Sequence, residues 1–227
     1  DDLENFEDRL ARKEKESALL TAELGEKASL LSEARKTAAV TLEKKIQREL
    51  AELSMPGVVF SIKVISPGKP DGSLYKSSGF DEVRFDFAPN KGEPPRPLSR
   101  IVSGGELSRV LLAIKQVLGA RPWPMTCIFD EVDSGIGGAV AFVVGKKLKA
   151  MAQSNQVLCV THLPQVASHA NRHYVITKGV KNRRTFTEAR PLERTEREEE
   201  IARMLGGIAV TAKTKEHARE MLRSADK

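Results

Sequence analysis

Large aromatic side chains are scarce: of 227 residues only 5% are Phe, Trp or Tyr, with one tryptophan, while 30% are charged. A chain so lean in packing groups can bury a core of ordinary size and is expected to leave part of its length extended. Cysteine is nearly absent too. Cys127 and Cys159 each sit in a short apolar run, read as buried core groups, and point to a reducing compartment. No stretch reaches the roughly 18 apolar residues of a membrane span, and the opening DDLENFEDRL has neither the basic start nor the apolar core of a signal peptide. These absences predict a soluble, cytoplasmic protein. A start without Met inside a helical pattern reads as an excised fragment.

Proline is missing from the first 53 residues, which are rich in Ala, Glu, Lys, Leu and Arg. Apolar groups recur there at Leu3, Phe6, Leu10, Leu20, Leu24, Leu31, Leu42, Ile46, Leu50 and Leu53, in steps that share one helical face. Fifty residues at about 1.5 Å each make a rod of roughly 75 Å, longer than a globular helix needs. One strand of a coiled coil is expected, with Lys13, Ser17 and Lys27 interrupting its seam; a long amphipathic helix lying on a domain is the alternative. This stretch holds 13 acidic and 10 basic residues, so with +6 overall the remainder carries about +9.

Met55-Pro56-Gly57 ends the helix, and Val58–Ile65 reads as a strand. A loop over Ser66–Gly79 precedes a second, antiparallel and half-buried strand through Val83, Phe85 and Phe87. Asn90–Pro97 reads as a loop and Leu107–Leu118 as a helix. Two wholly apolar runs, Met125–Phe129 and Val157–Val160, flank a helix over Gly138–Met151. That is a βαβ unit, hence a parallel sheet buried on both faces. A strand pair, Tyr174–Thr177 with Arg184–Glu188, and helices near Glu198–Leu205 and Thr211–Ser224 complete the pattern.

Three short words carry chemistry. Asp130 and Glu131 follow an apolar strand, at the end of a parallel sheet where ligands bind. One carboxylate there can hold Mg2+ through water while the other orients or deprotonates an attacking water; an acidic helix cap is the plain alternative. Ser103-Gly104-Gly105-Glu106 leads into a helix whose free N–H groups attract phosphate, and Ser103 either caps that helix or bonds a phosphate oxygen. Thr161-His162 follows the second buried strand, on the same sheet edge as Asp130 and Glu131 if the strands are parallel neighbours. His162 then polarises a phosphate or holds the water, or is only a satisfied polar residue. His169 and His173 have a zinc-like spacing but no cysteine or acidic partner nearby, and are not read as ligands.

In this order, with Asp-Glu about 25 residues after Ser-Gly-Gly-Glu and His about 30 further on, the words resemble the signature motif, Walker B motif and switch histidine of ABC-type ATPases. LSRIVSGGELSRVLLAIK, IFDEVDSGIGG, QVLCVTHLPQVASHA and EIARMLGG resemble the SMC-like DNA repair branch of that superfamily, from Val58 onward. The resemblance implies an α/β fold: the C-terminal lobe of a P-loop NTPase head of ABC/SMC type (residues 55–227), with an N-terminal coiled-coil arm (residues 1–54). It implies ATP and Mg2+ as cofactors, Asp130 supporting Mg2+, Glu131 as the catalytic carboxylate and His162 sensing the γ-phosphate. Asp133 and Ser134 fall in the D-loop, and Ser103, Gly104, Gly105 and Glu106 act on ATP held by a second head. The implied partners are the N-terminal head lobe, a homodimer closed on ATP, and DNA, in a cytoplasmic, nucleoid-associated repair machine.

The departure from the family is an absence. No Gly-x-x-x-x-Gly-Lys-Ser/Thr occurs, and the nearest candidate, Gly145-Lys146-Lys147, lacks the preceding glycine and the hydroxyl. In the family that loop lies in the N-terminal lobe, across the coiled coil, so the isolated chain is expected to hydrolyse little or no ATP. Two alternatives share the motifs: an ABC transporter nucleotide-binding subunit, which carries no such coiled coil, and a scaffold whose head has lost catalysis. Arg172–Arg197, with eight basic and three acidic residues, reads as a DNA-facing hairpin or as a solvated edge that keeps strands from aggregating.

Overall fold

The computed structural model describes residues 2–66, 75–100, 103–119, 123–181, 184–207 and 209–226, with side chains from residue 6 onward except at Lys181. Most of the loop read over Ser66–Gly79 lies outside the described residues. Two compact units divide the chain: one of residues 1–47 and 59–100, the other of 48–58 and 101–227.

Helix α1 runs Asp2–Glu52 without a break, as an Ala/Leu/Glu/Lys sequence free of proline should. It ends where Ser54 turns left-handed (φ 61°) and Met55 N–H closes on the Leu50 carbonyl at 3.0 Å, after which Pro56 cannot continue the ladder. The apolar seam has two fates. Ile46, Leu50 and Leu53 are buried, whereas Phe6, Leu10, Leu20, Leu24 and Leu31 are exposed.

In the first unit, β1 (Val59–Ile65) pairs antiparallel with β2 (Glu82–Ala88), placing Phe60 opposite Phe87 and Ile62 opposite Phe85. A two-residue β3 (Arg96–Pro97) adds to β2 inside the segment read as a loop. The expected burial of Val83, Phe85 and Phe87 holds only for Phe87; Val83 and Phe85 are exposed. The residue buried beside Phe87 is Asp86, which is possible because Lys63 (2.8 Å) and Arg84 (2.9 Å) neutralise it. The same unit buries Asp81, which accepts from Ser32 (2.9 Å), Ser66 (2.8 Å) and Arg35 (3.1 Å) and so fastens the hairpin to α1. Burial pushes both carboxyls up, but these partners win and hold each below its ordinary value.

In the second unit, β4 (Thr126–Phe129) and β5 (Gln156–Cys159) are parallel, Thr126 opposite Gln156 and Phe129 opposite Cys159, joined through α3 (Gly138–Met151). The βαβ expectation holds, and its two covered faces do not. Cys127 and Phe129 are buried, whereas Ile128, Leu158 and Val160 are exposed on the other face. No described element covers that second face. Cys159 is half-buried rather than core; desolvation, with Asp133 and Asp130 nearby, pushes its thiol up to about 12.

Helix α2 (Gly104–Leu118) is tied to α3 by Gln116, which donates to the Lys147 carbonyl at 2.6 Å. The Lys147 ammonium pairs at 2.6 Å with both Glu49 and Glu52 of the last turn of α1. Gly145, in mid-helix, backs onto His169, where a Cβ would sit 2.6 Å from Nδ1. Gly145-Lys146-Lys147 is therefore a packed helix, not a phosphate loop. Beyond come a short α4 (Pro164–Ala167), the antiparallel pair β6 (Tyr174–Lys181) and β7 (Arg184–Pro191), α5 (Arg194–Gly206) and α6 (Ala212–Ala225). Ala167, Ile201, Ala202 and Ala218 form a small core among the helices. No helix among the described residues is long and apolar enough to cross a membrane.

His169 donates Nδ1–H to the Gln165 carbonyl at 2.8 Å and meets the Phe142 ring edge-on. Burial pushes its pKa below the ordinary 6.5, Lys149, Lys146 and Arg197 adding to this against the Gln165 carbonyl. Burial and Arg197 depress His173 likewise, against Glu200. A base whose folded pKa is depressed binds fewer protons folded than unfolded, so its stabilising contribution is complete above pH 6.5 and is lost as pH falls below it. Asp81 and Asp86, with lowered pKa, lose theirs only below about 3.8. The melting temperature should accordingly fall in two stages on acidification, with both imidazoles still neutral by NMR below 6.5; titration of His169 at or above 6.5 contradicts this.

Candidate functional site

The turn Asp130–Ser134 leaves β4 abruptly. Glu131 adopts a left-handed backbone (φ 56°), which costs a non-glycine residue about 1–2 kcal/mol, and the Ser134 N–H closes the turn on its carbonyl at 2.9 Å. The kink sends two adjacent carboxylates in different directions. Asp130 and Glu131 are both exposed, and neither carboxylate takes a hydrogen bond from a described residue.

The start of α2 packs against this turn. Ser103 caps the helix, its hydroxyl accepting from Glu106 N–H at 3.4 Å. A Cβ on Gly104 would lie 2.5 Å from Glu131 Oε2; one on Gly105 would lie 2.9 Å from Ser134 Cβ and 3.0 Å from the Glu131 carbonyl. Glycine is needed for close approach at Gly105, which faces backbone and a Cβ; at Gly104 the near atom is the movable end of the Glu131 side chain. One turn on, Ser108 donates to the Asp130 carbonyl at 2.7 Å, and the buried Arg109 guanidinium donates to the carbonyls of Val132 (3.3 Å) and Ser134 (2.8 Å).

The third word meets the same turn from β5, whose last rung is Val160 N–H to the Phe129 carbonyl at 2.9 Å. Asp133 is buried, and its Oδ2 accepts from the Thr161 hydroxyl, His162 N–H (3.1 Å) and Leu163 N–H (3.3 Å). His162 Nδ1 lies 3.3 Å from that oxygen, with the ring otherwise exposed.

All three words thus meet at the C-terminal edge of β4 and β5. Ser103, Asp130, Glu131, Ser134 and His162 lie on the surface; Asp133 turns inward. Sequence reasoning missed Ser108 and Arg109. Arg109 shares the buried stripe of Gly105, Leu112 and Ala113, and an arginine on such a stripe is a readable sign of an internal partner. No cluster of three or more His, Cys, Asp or Glu able to hold a metal occurs among the described residues. A cation at Asp130 would draw its remaining ligands from water and phosphate, which suits Mg2+.

No protein-family profile matches the chain. Against curated proteins it is 39% identical over 236 residues to the DNA repair protein RecN of Bacillus subtilis, covering 100% of this chain and 41% of that protein. It is 41% identical over 214 residues to RecN of Streptomyces coelicolor, covering 91% and 37%. Over its whole length the chain is RecN-like. The chain spans about two fifths of the length of these relatives. Among solved structures, the Pyrococcus furiosus Smc head domain with an extended coiled coil, bound to the C-terminal domain of ScpA, gives a TM-score of 0.53 at 17% identity, covering 89% of this chain and 47% of that one. The Pyrococcus yayanosii Smc head domain with a coiled coil and joint gives 0.53 at 18%, covering 98% and 36%. The RecN-like chain has the fold of an SMC head domain with its coiled coil.

The two glycines at the start of α2 differ in what surrounds them. Gly105→Ala meets backbone and a Cβ, and should destabilise the fold by about 1–3 kcal/mol in urea unfolding. Gly104→Ala meets only the movable Glu131 carboxylate, and should stay within about 0.5 kcal/mol of wild type. Equal midpoints for the two variants would contradict the packing of α2 on the turn.

Proposed function

We propose that this chain is the half of an SMC-like ATPase head that supplies signature motif, Walker B carboxylates, D-loop and switch histidine to a DNA repair protein. The observation that carries the reading is the convergence of Ser103–Glu106, Asp130–Glu131 and Thr161–His162 on one sheet edge. The RecN likeness supports a repair role, and the long α1 supports a coiled-coil arm over residues 1–54 ahead of a head lobe over 55–227.

The division of labour follows from geometry and charge. Glu131, free of internal partners, accepts the proton of the water that attacks the γ-phosphorus, and ADP leaves as the P–O bond to the β-phosphate breaks. Asp130 would hold Mg2+, which would supply neutralisation of the phosphate charge. His162, exposed beside the same turn, reaches the γ-phosphate. Ser103, Gly104 and Ser134 are exposed at the start of α2 and on the turn and, with Gly105 and the flanking Glu106, suit nucleotide held by a second head, so ATP joins two copies and hydrolysis releases them. The N-terminal lobe of the same protein provides the phosphate-binding loop, and DNA is the polymer acted on.

Mixing this chain with a separately made N-terminal lobe should produce ATP hydrolysis absent from either alone, and Glu131→Gln should lower kcat by about a hundredfold or more while ATP binding persists. Hydrolysis unaffected by Glu131→Gln, or none in a mixture shown to associate, removes the catalytic reading.

A further inference from the structure

We infer that Asp133 is a positioning residue for His162, holding the turn that carries the histidine from inside the fold rather than touching nucleotide. The inference deepens the function just proposed and rests on it for the contact of His162 with the γ-phosphate.

After Val160 the next N–H groups have no strand partner among the described residues. The four-residue α4 has Leu163 as its N-cap, a residue with no side chain able to cap it. Asp133 fills both roles: one carboxylate oxygen gathers the Thr161 hydroxyl and the N–H groups of His162 and Leu163, extending the strand pairing by a side chain. The Thr161 hydroxyl also accepts from Leu163 N–H at 3.1 Å, tightening the same turn. Nothing comparable holds the ring. The His162 side chain is 73% exposed, and its one polar neighbour among the described residues is Asp133, 3.3 Å from Nδ1. The direction of the imidazole is therefore set by its backbone and by that carboxylate.

Asp133 is itself held on both sides, since the carbonyls of Val132 and Ser134 accept from Arg109. With the carboxylate 2% exposed, a contact with nucleotide would require it to abandon three donors inside the fold. Its negative charge acts on the γ-phosphate only through the histidine it orients.

The test is a double-mutant cycle in the complete head, this chain together with the N-terminal lobe. Asp133→Asn keeps a carbonyl oxygen for the turn and so keeps the fold, but loses the charge that gathers the donors. Asp133→Asn should lower kcat about tenfold or more with the Kd for ATP within about twofold, and the double variant with His162→Ala should be no slower than His162→Ala alone. Losses that multiply, or about tenfold weaker ATP binding in Asp133→Asn, overturn the inference. Amide proton resonances give a second readout. Those of His162 and Leu163 should move upfield in Asp133→Asn as their bonds to a carboxylate weaken, and unmoved resonances overturn it. If His162→Ala leaves hydrolysis intact, the catalytic role of the histidine fails by itself, and the amide resonances alone decide whether Asp133 positions the turn.

Discussion

The carbonyl oxygens of Asp130, Val132 and Ser134 leave the end of β4 without a strand or helix of their own to bond, and side chains from elsewhere meet them. Ser108 takes the first, and Nη1 of the buried Arg109 guanidinium takes the other two. A buried guanidinium and a buried carbonyl are each costly without a partner, so the two Nη1 bonds offset part of both costs, while Arg109 Nε is buried with no partner among the described residues. Glu131 stays left-handed because the turn is held on both flanks. Two close glycine contacts complete the assembly: Gly104 under the Glu131 carboxylate and Gly105 against the turn itself.

Much of this was legible beforehand, for identifiable reasons. The helix over Gly138–Met151 was read to its observed bounds because its flanks are glycine on one side and an apolar strand on the other. The three chemical words were visible because each follows a strand or opens a helix. Hidden from view was what depends on pairing at a distance. Asp86 alternates with apolar residues and looks solvent-facing, yet Lys63, diagonal to it on β1, and Arg84, two residues before it on β2, let it go inside. Asp133 looks like one more polar residue of a loop, and only contact with Thr161–Leu163 reveals its inward turn. The left-handed Glu131 has no compositional sign, since glycine or asparagine is what such a backbone leads one to expect.

The apolar pattern was read correctly as pattern and only partly as burial. Alternation and periodicity state which side chains share a face; they do not state whether a cover for that face lies in the same chain. On α1 Leu10, Leu20, Leu24 and Leu31 keep their periodicity and stay in solvent, and on the β4–β5 sheet Ile128, Leu158 and Val160 do the same. Both surfaces fit a chain that spans about two fifths of its curated relatives and between a third and a half of the solved heads it resembles.

The bare side of the two-stranded parallel sheet makes stability a matter of mass action. Three branched aliphatic side chains in water contribute nothing to folding until something apolar lies over them, after which each methylene removed from water counts for about 0.8 kcal/mol. Whatever occupies that face binds only the folded form, so the apparent unfolding free energy rises with the logarithm of the occupant's concentration. An unfolding midpoint measured on this chain alone is thus a lower bound, and the melting temperature becomes a reporter of occupancy.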